Sequence, residues 1–177
     1  MERSSHGVGV DGTGKGGSAP RRLKIAILHP ELGIGGAERL MVDAAVELSA
    51  LGHEVRIFTA RHDPGRSFAE TSTGRFSIAV RGRPVPGAIR NRFRAVFSIV
   101  RMLLLSFSTR VGEFKPDIFL CDLVPHVLPF LQWITGKPVV FYCHYPDLLL
   151  TPVRQGAYTW YRIFFDRLEK RAMRLHA

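Results

Sequence analysis

The sequence is poor in cysteine and asparagine and, over one long stretch, has no acid at all. Its 177 residues hold two cysteines, Cys121 and Cys143, too few for a disulfide scaffold and in keeping with reduced thiols in a cytosolic setting. The only asparagine, Asn91, is followed by Arg92 and Phe93, so there is no N-glycosylation sequon. The almost wholly apolar segment 95–107 has only 13 residues, with Arg101 inside it, where a membrane span needs about 20. Between Glu70 and Glu113 no acidic residue occurs, yet there are eight arginines, among them Arg90, Arg92, Arg94 and Arg101. A one-sign stretch of this kind, in a chain of net charge +10, attracts polyanions or an anionic membrane surface. Residues 1–22 hold six glycines, three serines and almost no large apolar side chain. They cannot bury enough surface to offset their ordering entropy, and they lack the apolar centre of a signal peptide. This segment reads as a disordered tail. Its near match to a phosphate-binding loop, Gly9 to Lys15, fails because Gly16 replaces the magnesium-binding Ser or Thr and no strand precedes it.

What is present, 46% apolar residues with 17 glycines and 11 prolines, suits one globular domain over residues 23–177. Residues 23–29 form an apolar strand ending at His29, then a loop carrying Gly33, Gly35 and Gly36. Residues 37–51 place Leu40, Met41, Ala44, Ala45 and Leu48 on one helical stripe, which Gly52 closes. Residues 54–59 are a second strand, completing a βαβ unit that implies a parallel sheet. The alternation continues with strands over 76–80, 118–121 and 139–142 and helices over 89–111, 124–134 and 156–177. The fold class is therefore α/β, a Rossmann-like doubly wound parallel sheet. No Gly, Asn or Pro closes the last helix, which fits either a terminal helix or a protein that continues.

Ligands of open α/β sheets bind beyond the carboxyl ends of the strands, where helix N-termini offer free N–H groups. Gly35 and Gly36, without Cβ atoms, let a ligand approach such a terminus; a tight strand-to-helix turn is the other reading. Thr59 ends the second strand where a dinucleotide site would need an acid, so the loop is not an NAD fingerprint. Glu38 and Arg39, in the first helical turn, can reach a ligand or stand as a solvated helix end. His144 follows an apolar strand at the same sheet edge, where an imidazole can bind a sugar hydroxyl, exchange a proton or serve structure alone. Asp147 can orient His144, bind a hydroxyl or cap a turn. Cys121, Cys143, His126 and His144 match no metal-ligand spacing, and no Ser-His-Asp arrangement or paired carboxylate motif is apparent, so no metal or cofactor is implied. The segment 95–107, led by Arg90, Arg92 and Arg94, either lies in the headgroup region of a membrane or packs on the sheet. Nucleic-acid binding is disfavoured, because the arginines flank an apolar helix instead of interleaving with exposed aromatics.

Residues 29–40, 58–60, 62–65, 68–70 and 141–150, above all the run from Cys143 through His144, Tyr145, Pro146 and Asp147 to Leu150, resemble one family. It is that of the α-1,3/1,6-mannosyltransferases of dolichol-linked oligosaccharide synthesis, retaining glycosyltransferases with two Rossmann-like domains in the GT-B arrangement. The resemblance covers the chain from Leu23 to Ala177 and implies the N-terminal, acceptor-side domain, the second domain being absent. It implies mannose transfer from GDP-mannose to a mannosyl chitobiose diphosphate dolichol at the cytosolic face of the endoplasmic reticulum membrane, with no obligatory metal. Gly35 and Gly36 match the loop near the donor diphosphate, His144 the histidine near the transferred sugar, and the arginine-rich segment the membrane-facing region. Most contacts to the donor phosphates belong to the second domain, so the isolated chain is expected to be inactive. The other reading is a non-catalytic membrane module that binds lipid diphosphate and recruits a donor-binding partner. Replacing Arg90, Arg92 and Arg94 together with Ser is expected to weaken cosedimentation with anionic liposomes much more than it lowers sugar transfer by the intact protein.

Overall fold

A computed structural model of the chain describes residues 21–81, 94–144 and 167. Residues 1–20 of the predicted tail, the lead-in containing Arg90 and Arg92, Asp147 and nearly all of the predicted last helix lie outside these residues. The elements run β1 (Lys24–His29), α1 (Gly36–Ala50), β2 (Glu54–Thr59), β3 (Ser77–Val80), α2 (Arg94–Val111), β4 (Ile118–Asp122), α3 (Leu128–Thr135) and β5 (Val139–Tyr142). All five strands are parallel, in the order β3-β2-β1-β4-β5. This is the strand order of a doubly wound sheet, with its switch point between β1 and β4, where successive crossovers leave in opposite directions.

The apolar run of β1 is explained by burial on both faces. Ile25 and Ile27 join Met41, Val42 and Ala45 of α1 in one core; Ala26 and Leu28 join Met102, Leu105, Phe119, Leu128 and Leu131 in the other. The helices thus divide between the faces, α1 on one and α2 with α3 on the other. Gly52 ends α1 with φ +89°, a left-handed conformation that a Cβ would strain, and its N–H donates to the Ser49 carbonyl at 3.0 Å. The short helix expected over 124–134 divides into a 3₁₀ turn, Pro125–Val127, and α3. Pro125 starts the turn and Pro129, at the second position of α3, has no N–H to contribute, so each falls in a first turn where a missing donor is tolerated.

Helix α2 resolves the ambiguity of its apolar sequence in favour of two unlike faces. Met102 and Leu105 are fully buried against the sheet, with Ser106 and Thr109 beside them. Both hydroxyls donate within the helix, to the carbonyls of Met102 at 2.8 Å and Ser106 at 2.7 Å, so neither is left bare in the core. Val100, Leu104, Phe107 and Val111 recur at helical spacing on the outer side and are exposed. Arg101 corrects an expectation. Read from sequence as a membrane contact, it is only 4% exposed, and its guanidinium lies 3.8 Å from the Glu31 carboxylate. Its place on the sheet-facing side of α2 explains this, since a side chain there reaches the edge of the sheet rather than a lipid surface.

The two thiols differ sharply. Cys121 is buried within the sheet, where burial and then the neighbouring Asp122 charge push its thiol pKa up, whereas Cys143 is exposed. A water-soluble disulfide reagent is expected to titrate one thiol per native chain, at Cys143, and both after denaturation.

Candidate functional site

The switch point places two strand ends together. Leu28 of β1 pairs with Cys121 of β4, so the next residues, His29 and Asp122, stand side by side at the carboxyl edge. Both are buried, at 1% and 0% exposure. His29 Nδ1 lies 2.8 Å from Asp122 Oδ1 and 2.9 Å from Oδ2. His144, just beyond β5, brings Nε2 to 3.1 Å from the same Oδ2, and its ring meets Tyr142 edge-on with centroids 4.8 Å apart. One buried carboxylate therefore serves two imidazoles from the two sides. Immediately after it, Leu123 adopts φ 59° and the Val124 N–H donates back to the Asp122 carbonyl at 2.6 Å. That tight turn holds a non-glycine residue in a left-handed conformation, a strain of about 1–3 kcal/mol that recurs where a fold fixes a functional side chain.

On its other side His29 faces the helix α1. Glu38 Oε1 is 4.0 Å from His29 Nε2, an ion pair rather than a hydrogen bond. Glu38 is thus turned inward over Gly35 instead of being a solvated helix end. A Cβ on Gly35 would collide with the Glu38 carboxylate, whereas one on Gly36 would meet only open space. Gly35 thus leaves room for the inward-turned Glu38 carboxylate, and nothing in the packing accounts for Gly36. Arg39 turns away from the edge, bound to Asp43 at 2.6 Å and Glu70 at 2.9 Å. Burial alone would lower the His29 pKa, but the hydrogen bond to Asp122 and the contact with Glu38 outweigh it and raise the value to about 9. Contact with His29 in turn holds the Glu38 carboxyl below its usual range.

A cleft of about 750 Å³ opens beside Glu38, lined also by Glu31, Gly33, Arg61, His62 and Arg66. Its floor is zipped by main chain: Leu32 bridges His62, and the Leu32 N–H donates to the Arg61 carbonyl at 2.8 Å. Glu31 joins Arg61 at 3.5 Å and the buried Arg101 at 3.8 Å. His62 Nδ1 is buried with no hydrogen-bond partner among the described residues. Nowhere among those residues do His, Cys, Asp and Glu side chains gather as a metal site.

Of the residues singled out by sequence, His144, Gly35, Gly36 and Glu38 are brought to one edge. Asp147 lies outside the described residues, and the carboxylate that contacts His144 is Asp122. Sequence reasoning missed Asp122 and passed over His29 as a strand end. The available signal was an acid closing one apolar strand and a histidine closing another. The raised pKa of His29 makes a prediction with a definite sign. A group protonated more readily in the folded state stabilises fully below its unfolded pKa, near 6.5, and loses that contribution as pH rises through about 9. The unfolding free energy of the wild type relative to His29→Gln is expected to fall by roughly 3 kcal/mol between about pH 6 and pH 10 in urea titrations.

With this geometry in place, comparison with known proteins is informative. Residues 34–177 match Glycosyltransferase Family 4. The chain is 41% identical over 151 residues to an alpha-1,3/1,6-mannosyltransferase of Rhizomucor pusillus, covering 85% of this chain and 33% of that protein. It is likewise 41% identical over 152 residues to that of Dictyostelium discoideum, covering 85% and 36%. The chain thus spans about a third of the length of the curated relatives it matches. Among solved structures the calicheamicin glycosyltransferase CalG4 aligns with 85% of this chain and 41% of its own, with TM-score 0.54 and 17% identity, a likeness of fold. The relatives are those that the runs around Gly36 and His144 resemble, and the sheet is that of one Rossmann-like domain of a GT-B glycosyltransferase. A family match reaching from the β1–α1 loop to Ala177 places this protein in Glycosyltransferase Family 4.

Proposed function

We propose that the chain forms the acceptor-side domain of a mannosyltransferase that moves mannose from GDP-mannose to a dolichol diphosphate-linked mannosyl chitobiose, making an α-1,3 and then an α-1,6 linkage. The observation that carries this reading is that His144 and the open N-terminus of α1 stand at one edge of the sheet, linked through Asp122, His29 and Glu38. Gly36 has open space where a Cβ would be, and the first N–H groups of α1 carry no side-chain cap. Such a terminus suits a phosphate that gains negative charge as a glycosidic bond breaks. In this reading the His144 imidazole takes a hydrogen bond from the transferred sugar. The cleft beside Glu38 carries carboxylates and guanidiniums in mixed array, which favours the hydroxyls of a sugar acceptor over an apolar tail.

Contact with the endoplasmic reticulum membrane, at its cytosolic face, is part of the proposal. Among the described residues no helix is long and apolar enough to cross a membrane. The exposed stripe of Val100, Leu104, Phe107 and Val111 supports a helix lying in the interface, and the acid-free, arginine-rich stretch around it supports an anionic lipid surface. In this reading the contacts that hold the donor diphosphate belong to a second domain, which these 177 residues do not supply.

Two assays test the proposal. The 177-residue chain, supplied with GDP-mannose and a lipid-linked acceptor, is expected to transfer little or no mannose, and appreciable turnover would overturn the division of labour. In the intact protein His144→Ala is expected to lower transfer by about 100-fold or more, the scale of a lost proton-transfer or orienting group, with liposome association unchanged. Equal transfer by the variant would remove His144 from the mechanism.

A further inference from the structure

We propose that Asp122 is a positioning residue that locks His144 in the Nε2–H tautomer, leaving Nδ1 as the hydrogen-bond acceptor, and that His29 is the buried cation that keeps Asp122 ionised for this task. Asp122 Oδ2 is within hydrogen-bond distance of both His29 Nδ1, at 2.9 Å, and His144 Nε2, at 3.1 Å, and Oδ1 is also 2.8 Å from His29 Nδ1. An ionised carboxylate only accepts, so each nitrogen facing it must carry a proton. An imidazole that donates from Nε2 and is neutral has its lone pair on Nδ1.

His29 supplies the reason why the carboxylate stays ionised. A carboxylate with no access to water is strongly disfavoured unless a buried cation and hydrogen bonds compensate it. His29 provides both, and the elevated pKa described above keeps it charged at neutral pH. Among the described residues the groups facing this set are Glu38 from α1, on the far side of His29, and Tyr142 from β5, against His144. Glu38 balances the second imidazole N–H of His29, so both polar atoms of this ring are engaged. Among the described residues His144 is the member of the set with a nitrogen left for a ligand, and of the three it is the one that is not buried, with a side chain 22% exposed against 1% for His29 and 0% for Asp122.

The consequence for the reaction rests on the mannosyl-transfer reading. A neutral imidazole whose lone pair is fixed on one nitrogen can accept a hydrogen bond from a sugar hydroxyl and hold the sugar in one orientation. The tautomer itself does not depend on that reading, and measuring it separates failure of the one from failure of the other.

The test is long-range ¹H–¹⁵N NMR of the histidine-labelled chain, followed to mildly alkaline pH so that the neutral form of His144 is the one read, with His144 assigned through His144→Gln. The expected result is a single neutral tautomer for His144, protonated at Nε2 and bare at Nδ1. In Asp122→Asn, which removes the charge at nearly constant size, His144 is expected to pass to a mixture of tautomers. A wild-type His144 protonated at Nδ1, or averaging between tautomers, would overturn the proposal. So would an unchanged single tautomer in a folded Asp122→Asn. If that variant does not fold, the wild-type spectrum alone decides.

Discussion

A carboxylate sealed from water at the end of a central strand must find its protons within the protein. At Asp122 that requirement organises the whole edge of the sheet. His29 reaches it from β1 and His144 from beyond β5, so three strands are pinned together where their carboxyl ends meet. Removing one partner of such a set leaves an uncompensated buried charge, which is more damaging than losing a surface ion pair. The same need accounts for features that look unrelated along the chain. Glu38 folds inward toward His29, into space that Gly35 leaves open by having no side chain.

Helix α2 shows how one apolar segment can serve two purposes. Its inner side is tied into the core through Met102 and Leu105, and its outer side keeps a separate line of exposed apolar residues. Arg101 lies on the inner side without joining that core. It crosses toward Glu31 at the sheet edge, where burial lowers its pKa and the Glu31 charge opposes that shift. A membrane role for this helix therefore rests on its outer stripe and not on this arginine.

The fold was legible to a considerable degree. Ile25 and Ile27 alternate with Ala26 and Leu28 in a strand wholly apolar because both its faces are covered, and the helical stripe of α1 could be read without knowing what it packs against. Local chemistry sets such features. Gly52 ended α1 for the same reason, a backbone conformation that disfavours side chains. The arginine at 101 was illegible because an apolar helix offers no local clue to which of its sides faces the sheet. The division of residues 124–134 into a 3₁₀ turn and a helix was missed because proline fits the start of either.

The candidate site was legible only at its ends. Gly35, Gly36 and His144 could be singled out because glycines before a helix and a histidine after a strand are local patterns. His29 and Asp122 lie 93 positions apart, and nothing along the chain says that they touch. What the sequence determined by itself was the succession of strands and helices, the parallel sheet they imply and the family likeness, since these follow from periodicity, turns and short motifs. Tertiary structure alone decided that β1 lies beside β4, so that one buried acid stands between two histidines. Strand order is set by long-range pairing and by the direction of each crossover, and neither is written in any local stretch of residues.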